Sequence, residues 1–123
     1  MAIETATRTR EIRREDWSHF FDEFSRRHDG WLVTSELLDP KLGDQVEVEN
    51  QAFRGIVAEV RRDPRVIEIF TENREKESTT NVIEEPSRVW IDESGDDADA
   101  ALEIEAKDGT KTLLRLRSAP RSG

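Results

Sequence analysis

The chain is 123 residues long, the size of one ordinary domain, and carries 28 Asp and Glu against 19 Lys and Arg, a formal net charge of −9. So acidic a surface disfavours general nucleic-acid affinity, because phosphate binding requires a positive footprint that displaces counterions. With no cysteine in the sequence, disulfides, thiolate nucleophiles and Cys-based zinc or iron–sulfur sites are excluded together. Thirty-three Val, Ile, Leu, Met, Phe and Trp residues suffice for one modest core. No apolar run approaches the roughly 20 residues that span a bilayer. The start, Met1-Ala2-Ile3-Glu4-Thr5, lacks a basic region followed by an apolar one. A cytoplasmic protein without membrane attachment is therefore expected.

In chain order, the polar, Thr- and Arg-rich stretch from Met1 to about Glu11 shows no period and reads as a mobile arm, with order beginning near Ile12. Trp17, Phe20, Phe21 and Phe24 then fall at i, i+3, i+4 and i+7, one apolar face of a helix from about Arg14 to His28. Glu15 and Asp16 in its first turn and Arg26, Arg27 and His28 in its last match the helix dipole, and Gly30 supplies the stop. After Gly30 the period becomes alternating. Candidate strands are Trp31 to Leu38, Gln45 to Asn50, Ile56 to Arg61, Arg65 to Thr71, Thr79 to Glu84, Ser87 to Asp92, Leu102 to Ala106 and Lys111 to Arg117. Asp39-Pro40 with Gly43, Asp63-Pro64 and Asp108-Gly109 punctuate them. Pro86, which has no N–H for a ladder, either separates two strands or marks a bend in one.

The connections are too short for helical crossovers, so antiparallel pairing follows and a parallel doubly wound fold is excluded. The expected fold is α+β: one N-terminal helix on a mostly antiparallel, strongly curved sheet of about six to eight strands, or a small barrel plugged by that helix. One domain over 12–118 and a mobile tail over 119–123 complete the expectation.

The register of the last hairpin can be derived. A two-residue Asp108-Gly109 loop would set Glu103 opposite Leu114 and mix the two faces. A three-residue loop, Lys107-Asp108-Gly109 with Gly109 left-handed, instead sets Leu102 against Leu114, Ile104 against Thr112 and Glu105 against Lys111. The three-residue loop is expected. Trp90, between Val89 and Ile91, is ambiguous: alternation sends either Trp90 inward, or Val89 and Ile91 inward with Arg88, Trp90 and Asp92 on the outer face. In the second phase Arg88 and Trp90 have the composition of an interface anchor and are the candidate partner-binding residues.

Chemistry-bearing patterns are sparse. The run Asp92-Glu93-Ser94-Gly95-Asp96-Asp97-Ala98-Asp99 offers oxygens to a hard cation but lacks the EF-hand order, and a solvated connection between strands accounts for it. His19 and His28 lie nine apart on one helix, not at the i, i+4 spacing of paired ligands, although His28-Asp29 allows a local carboxylate–imidazole pair. There is no phosphate loop, nucleophile elbow or kinase set. Arginines cluster at Arg8, Arg10, Arg13 and Arg14, at Arg61, Arg62 and Arg65, and at Arg115, Arg117 and Arg121, each with acids nearby that favour surface ion pairing over nucleic-acid contact.

The segments Thr9-Arg10-Glu11-Ile12, Phe24-Ser25-Arg26-Arg27-His28, Gly30-Trp31-Leu32-Val33-Thr34, Arg54-Gly55-Ile56, Pro86-Ser87-Arg88-Val89, Leu102-Glu103-Ile104-Glu105 and Asp108-Gly109 with Thr112-Leu113-Leu114-Arg115 together resemble a family of short bacterial proteins classified only as a domain of unknown function. The resemblance covers most of the chain, with Arg13 standing where the family has proline before the helix. It implies a small stand-alone bacterial protein and supplies no activity, cofactor or catalytic residue.

The functional expectation is a non-enzymatic interaction module that binds a protein partner or itself, with no catalytic residue, cofactor, metal or membrane. The alternatives are a small enzyme or small-ligand binder that uses carboxylate and Arg side chains in a sheet pocket, and nucleic-acid binding through clustered Arg. A pocket where such side chains converge distinguishes the first alternative, and a salt-dependent shift with labelled RNA or DNA the second.

Overall fold

The computed structural model describes residues 8–59, 65–93 and 99–118. Strand β1 (Arg8–Ile12) leads through a 3-10 turn at Arg14–Asp16 into α1 (Trp17–His28). Seven further strands follow: β2 (Leu32–Asp39), β3 (Gly43–Ala58), β4 (Val66–Glu72), β5 (Ser78–Glu84), β6 (Pro86–Glu93), β7 (Asp99–Ala106) and β8 (Lys111–Arg117). All eight strands form one antiparallel sheet in the order β1-β6-β7-β8-β2-β3-β4-β5. The α+β expectation is met, with one helix on a strongly curled sheet that does not close into a barrel.

The aromatic face of α1 enters the core as its period requires. Trp17, Phe21 and Phe24 are buried, while Phe20 is half-buried, with the Arg10 guanidinium 5.8 Å from its ring centroid. The Trp17 indole N–H donates to the Ile12 carbonyl at 3.0 Å, so this large ring is buried without an orphaned donor. The same bond ties the start of α1 to β1. The α-helical turns begin at Trp17 rather than Arg14, because the preceding turn is 3-10. At the other end Gly30 has φ +86°, the conformation that a glycine stop supplies.

Two strand expectations need correction. Arg8 to Glu11 lie in a strand, not an arm: β1 pairs with β6, Arg8 opposite Glu93 and Ile12 opposite Val89. That pairing is non-local and leaves no mark on the local period. Gln45–Asn50 and the segment from Ile56 belong to one strand, β3, which runs unbroken to Ala58. Bulges keep its long ribbon bending with the sheet: the β2–β3 register shifts on both sides of Ser35, and the β3–β4 register shifts between Phe53 and Gly55. The expected end of that strand at Arg61 and the middle of the acidic run, 94–98, lie outside the described residues, as do residues 1–7 and 119–123.

Where β2 gives out, other groups take over its hydrogen bonds. The last β2–β3 pair is Leu32 with Ala52. Beyond it, Gly30 N–H donates to Phe53 O at 2.8 Å and Phe53 N–H to Trp31 O at 2.7 Å. Ser25 of α1 then closes the account for Ile56: its Oγ accepts from Ile56 N–H at 2.9 Å and donates to Ile56 O at 3.0 Å. One hydroxyl thus stands in for a missing strand and satisfies backbone groups that burial would otherwise leave unpaired.

Residues 78–93 form two strands joined by Glu85 alone, with φ +49°; β5 lies at one edge of the sheet and β6 second from the other, next to β1. Glu85 N–H donates to Arg65 O beside β4, and Lys107 N–H donates to Glu85 O beside β7. A single residue therefore bridges both halves, which forces the sheet to curl until β5 is drawn towards β6 and β7 at this corner. The inner surface so formed holds Val33, Phe53, Ile56, Ile67, Ile69, Val89, Leu102, Ile104 and Leu114 in one cluster with the helix aromatics.

The last hairpin has the derived register. Leu102 lies opposite Leu114, Ile104 opposite Thr112 and Glu105 opposite Lys111. Ala106 N–H donates to Thr110 O at 2.9 Å, and Gly109 has φ +90°. Asp108 Oδ1 accepts from Thr110 N–H and Oγ–H, which hold its carboxyl below the ordinary range.

Candidate functional site

Val89 and Ile91 are buried in the core, so the pleat sends Arg88, Trp90 and Asp92 to the outer face of β6. Trp90 is half-buried there and Arg88 exposed, with its guanidinium 6.0 Å from the Trp90 ring centroid. Register places Trp90 between Glu11 of β1 and Glu103 of β7, and Arg88 opposite Glu105. The row through Trp90 continues across the sheet as Glu103, Leu113 and Glu36. The face therefore alternates apolar and charged side chains, with both signs interleaved.

Next to Trp90, the same face opens into a cavity of about 570 Å³. Asp92, Asp99, Arg115, Arg117, Asn50 and Thr34 supply its polar lining. Ala101 of β7 lies between Asp92 and Arg115 in the register, and Thr34 of β2 follows Arg115. Arg117 donates to Asn50 Oδ1 at 3.1 Å, and Asn50 N–H donates to Thr34 Oγ at 3.2 Å. Asp92 Oδ1 is shielded from solvent and has no hydrogen-bond partner among the described residues, an arrangement that costs about 1–3 kcal/mol and that a bound donor would relieve. Arg115 forms no ion pair or hydrogen bond among the described residues.

The other sequence candidates are distributed elsewhere. His28 is held in the helix by its Nδ1–H, which donates to Phe24 O at 2.8 Å, and its ring packs between Phe24 and Trp31. Burial pushes its pKa below the ordinary value, against the opposing pull of that backbone bond. Asp29 does not serve it, since Asp29 Oδ1 instead meets Arg54 at 3.3 Å. His19 is exposed beside Glu23 at 3.5 Å, and neither imidazole lines the cavity. Of the Arg clusters, Arg14 donates to Pro86 O and lies 4.6 Å from the Trp17 ring centroid, a structural role. Arg115 and Arg117 share the cavity with Asp92 and Asp99, while Arg61, Arg62 and Arg121 lie outside the described residues. Among the described residues no three His, Asp or Glu side chains group as a metal site, and no helix is long and apolar enough to cross a membrane.

A sequence reading treats Asp92 and Asp99 as one acidic run and Arg115 and Arg117 as a separate basic cluster. Their meeting depends on strands β6, β7 and β8 being neighbours. The available signal was parity: in the derived hairpin register Arg115 falls on the same face as Ala101 and Glu103.

An open, strongly curled antiparallel sheet with one helix against its inner surface, and with a mixed-charge outer face, defines the molecule as a small α+β protein. The chain belongs to the family of unknown function DUF5335, whose model matches residues 8–122. It is 31% identical over 111 residues to an uncharacterized protein of the bacterium Aquifex aeolicus (strain VF5), an alignment that covers 90% of this chain and 94% of that protein. No solved structure matches it.

Proposed function

We propose that the protein is a non-enzymatic interaction module that binds a protein partner on the outer face of the sheet, with Trp90 and Arg88 as anchors. The observation that carries this reading is the phase of β6. Val89 and Ile91 anchor the strand inward, so a large aromatic ring is presented outward beside an arginine instead of being used for the core. Trp and Arg are the residues most enriched among interface hot spots, where truncation typically costs about 2 kcal/mol or more of binding. The flanking charges supply selectivity: Glu11, Glu103 and Glu105 favour cations on the partner, and Arg115 in the adjacent cavity favours an anion.

The test is capture of partners with the wild-type chain and with Trp90→Ala, followed by titration calorimetry with the purified protein that the variant fails to retain. Trp90→Ala is expected to weaken binding at least tenfold while the urea midpoint stays nearly constant, because the core beneath is made by Val89 and Ile91. A stability loss of the size expected for a core aromatic, roughly 3–5 kcal/mol, with binding unaltered would refute the reading.

A second reading, a small-ligand binder, is favoured by the cavity beside Trp90. Its volume lies in the range of roughly 300–1,000 Å³ usual for small-molecule sites. Asp92 would accept a hydrogen bond from such a ligand, and Arg115 and Arg117 would hold an anionic group. A metabolite screen by thermal shift separates the two readings: a ligand whose stabilisation is lost in Arg115→Ala and retained in Trp90→Ala supports the pocket.

A further inference from the structure

The last strand of the sheet, β5, has β4 as its one neighbour among the described residues. Its register with β4 is unbroken from Val66 opposite Glu84 to Glu72 opposite Ser78. Two bonds just beyond its ends define which way its amides point. Asn73 N–H donates to Glu77 O, and Glu85 N–H donates to Arg65 O. In an antiparallel ladder bonded and non-bonded pairs alternate, so Thr79, Asn81 and Ile83 direct their N–H and C=O groups at β4. Ser78, Thr80, Val82 and Glu84 consequently direct theirs outward, as a row of donors and acceptors that no described strand meets.

Proteins usually blunt such an edge with Lys, Pro, a bulge or a covering element. Here α1 packs along β3 and β1 covers the edge of β6, leaving β5 uncovered by either. The strand Ser78–Glu84 contains no Lys or Pro, is rich in β-branched residues and has no bulge. Its one charge is the terminal Glu84, and Val82 is 48% exposed on the outer face.

We propose that β5 is a self-association edge at which a second copy adds its own β5, antiparallel, about a two-fold axis through Asn81. The parity of the free groups selects that axis. Bonded pairs across a two-fold must join outward-pointing residues to each other, so the axis falls on a residue of β5 and not between two. Only the axis on Asn81 uses all of Ser78, Thr80, Val82 and Glu84 in both strands. It sets Thr80 opposite the partner's Val82, Ser78 opposite the partner's Glu84, Thr79 opposite the partner's Ile83, and Asn81 opposite its own copy. No like charges meet within the strand, and polar and β-branched side chains pair on each face. A second copy therefore complements the edge residue by residue, which is the requirement for an isologous dimer. Just beyond the strand ends, Glu77 falls opposite the partner's Glu85, and each chain carries −9 overall. The dimer should consequently tighten as salt screens the repulsion.

Because the chain has no native cysteine, single substitutions report the axis cleanly. In a non-bonded antiparallel pair the Cα atoms are about 4.5 Å apart, within disulfide reach. Asn81→Cys should therefore cross-link two copies under mild oxidation, about tenfold faster than Thr80→Cys or Val82→Cys. Sedimentation velocity over a concentration series should show a monomer–dimer equilibrium that shifts to dimer with added salt. Hydrogen exchange at Thr80 and Val82 should slow with protein concentration, while the β4-facing amides of Thr79 and Asn81 stay protected throughout. Thr80→Pro removes an outward N–H without touching the β4 ladder, and the loss of one such bond per copy should weaken the dimer about tenfold to a hundredfold. A second variant, Thr80→Lys with Val82→Lys, faces ammonium against ammonium across the axis and should give monomer even if the proline variant folds poorly. Trp90→Ala, on the outer-face anchor, should leave this dimer intact. A chain that stays monomeric at millimolar concentration, or a dimer that survives both β5 variants, overturns the proposal. Dissociation by Trp90→Ala alone would assign self-association to the outer face instead.

Discussion

Two serines in this fold should respond to the same substitution with opposite sign. Ser25 makes two hydrogen bonds with the backbone of Ile56, at 2.9 and 3.0 Å, where β3 has lost its β2 neighbour. Ile56 is fully buried and lies opposite Ile69 of β4, with its own N–H and C=O turned towards α1. Ser25→Ala removes both partners at once, and no neighbouring strand is available to replace them. Each bond contributes about 1 kcal/mol net, and each buried group left unpaired costs about 1–3 kcal/mol, so the loss should be about 2–4 kcal/mol. That is a large share of the roughly 5–15 kcal/mol by which a domain is stable, and it lowers the melting temperature by roughly 10 °C at this chain length. Ser35 is the contrast. Its hydroxyl is buried among core residues and finds no partner among the described residues, so Ser35→Ala removes a desolvated polar group and should raise stability by about 1 kcal/mol. Urea unfolding followed by tryptophan fluorescence measures both, and hydrogen exchange at the Ile56 amide reports the local opening. If Ser25→Ala shifts stability by less than about 0.5 kcal/mol, or if that amide remains protected, the claim that one hydroxyl replaces a strand is wrong.

The aromatic face of α1 gives a second expectation: Phe24, buried and edge-on to Phe53 at 5.7 Å, should cost about 3–5 kcal/mol when changed to Ala, and an unchanged urea midpoint would place the face outside the core. His28 gives a third. Burial lowers its folded pKa below 6.5, so the unfolded chain takes up the proton first, and stability is full above that value and declines as pH falls below it. Thermal melts between about pH 7.5 and pH 5 should show wild type losing more stability than His28→Gln, and parallel curves would refute the assignment.

The helix was legible because its apolar residues recur within two turns, so Trp17, Phe21 and Phe24 reached the core by local geometry alone. The β7–β8 hairpin was legible for a similar reason. Its partners are separated by a short loop, and parity with the requirement of one apolar face left a single register, which the pairing of Leu102 with Leu114 shows. Even there Phe20 behaved differently, because helical periodicity defines a face and the curvature of the sheet decides how far that face is covered.

What the sequence by itself determined was therefore the set of elements within reach of their own periodicity: one amphipathic helix, short alternating strands, and a turn chemistry that forbids parallel crossovers. Tertiary structure alone decided which strands meet. Arg8–Ile12 became a strand by pairing with β6, and of the two strands joined by Glu85, β5 went to one edge of the sheet and β6 to the place next to β1 at the other. The same non-local order brought Asp92 and Arg115 to one cavity and left the edge of β5 unpaired among the described strands. It also settled the phase of Trp90, since alternation specifies only that Val89 and Ile91 oppose it, and the side that becomes interior depends on where the helix and the distant strands close the core.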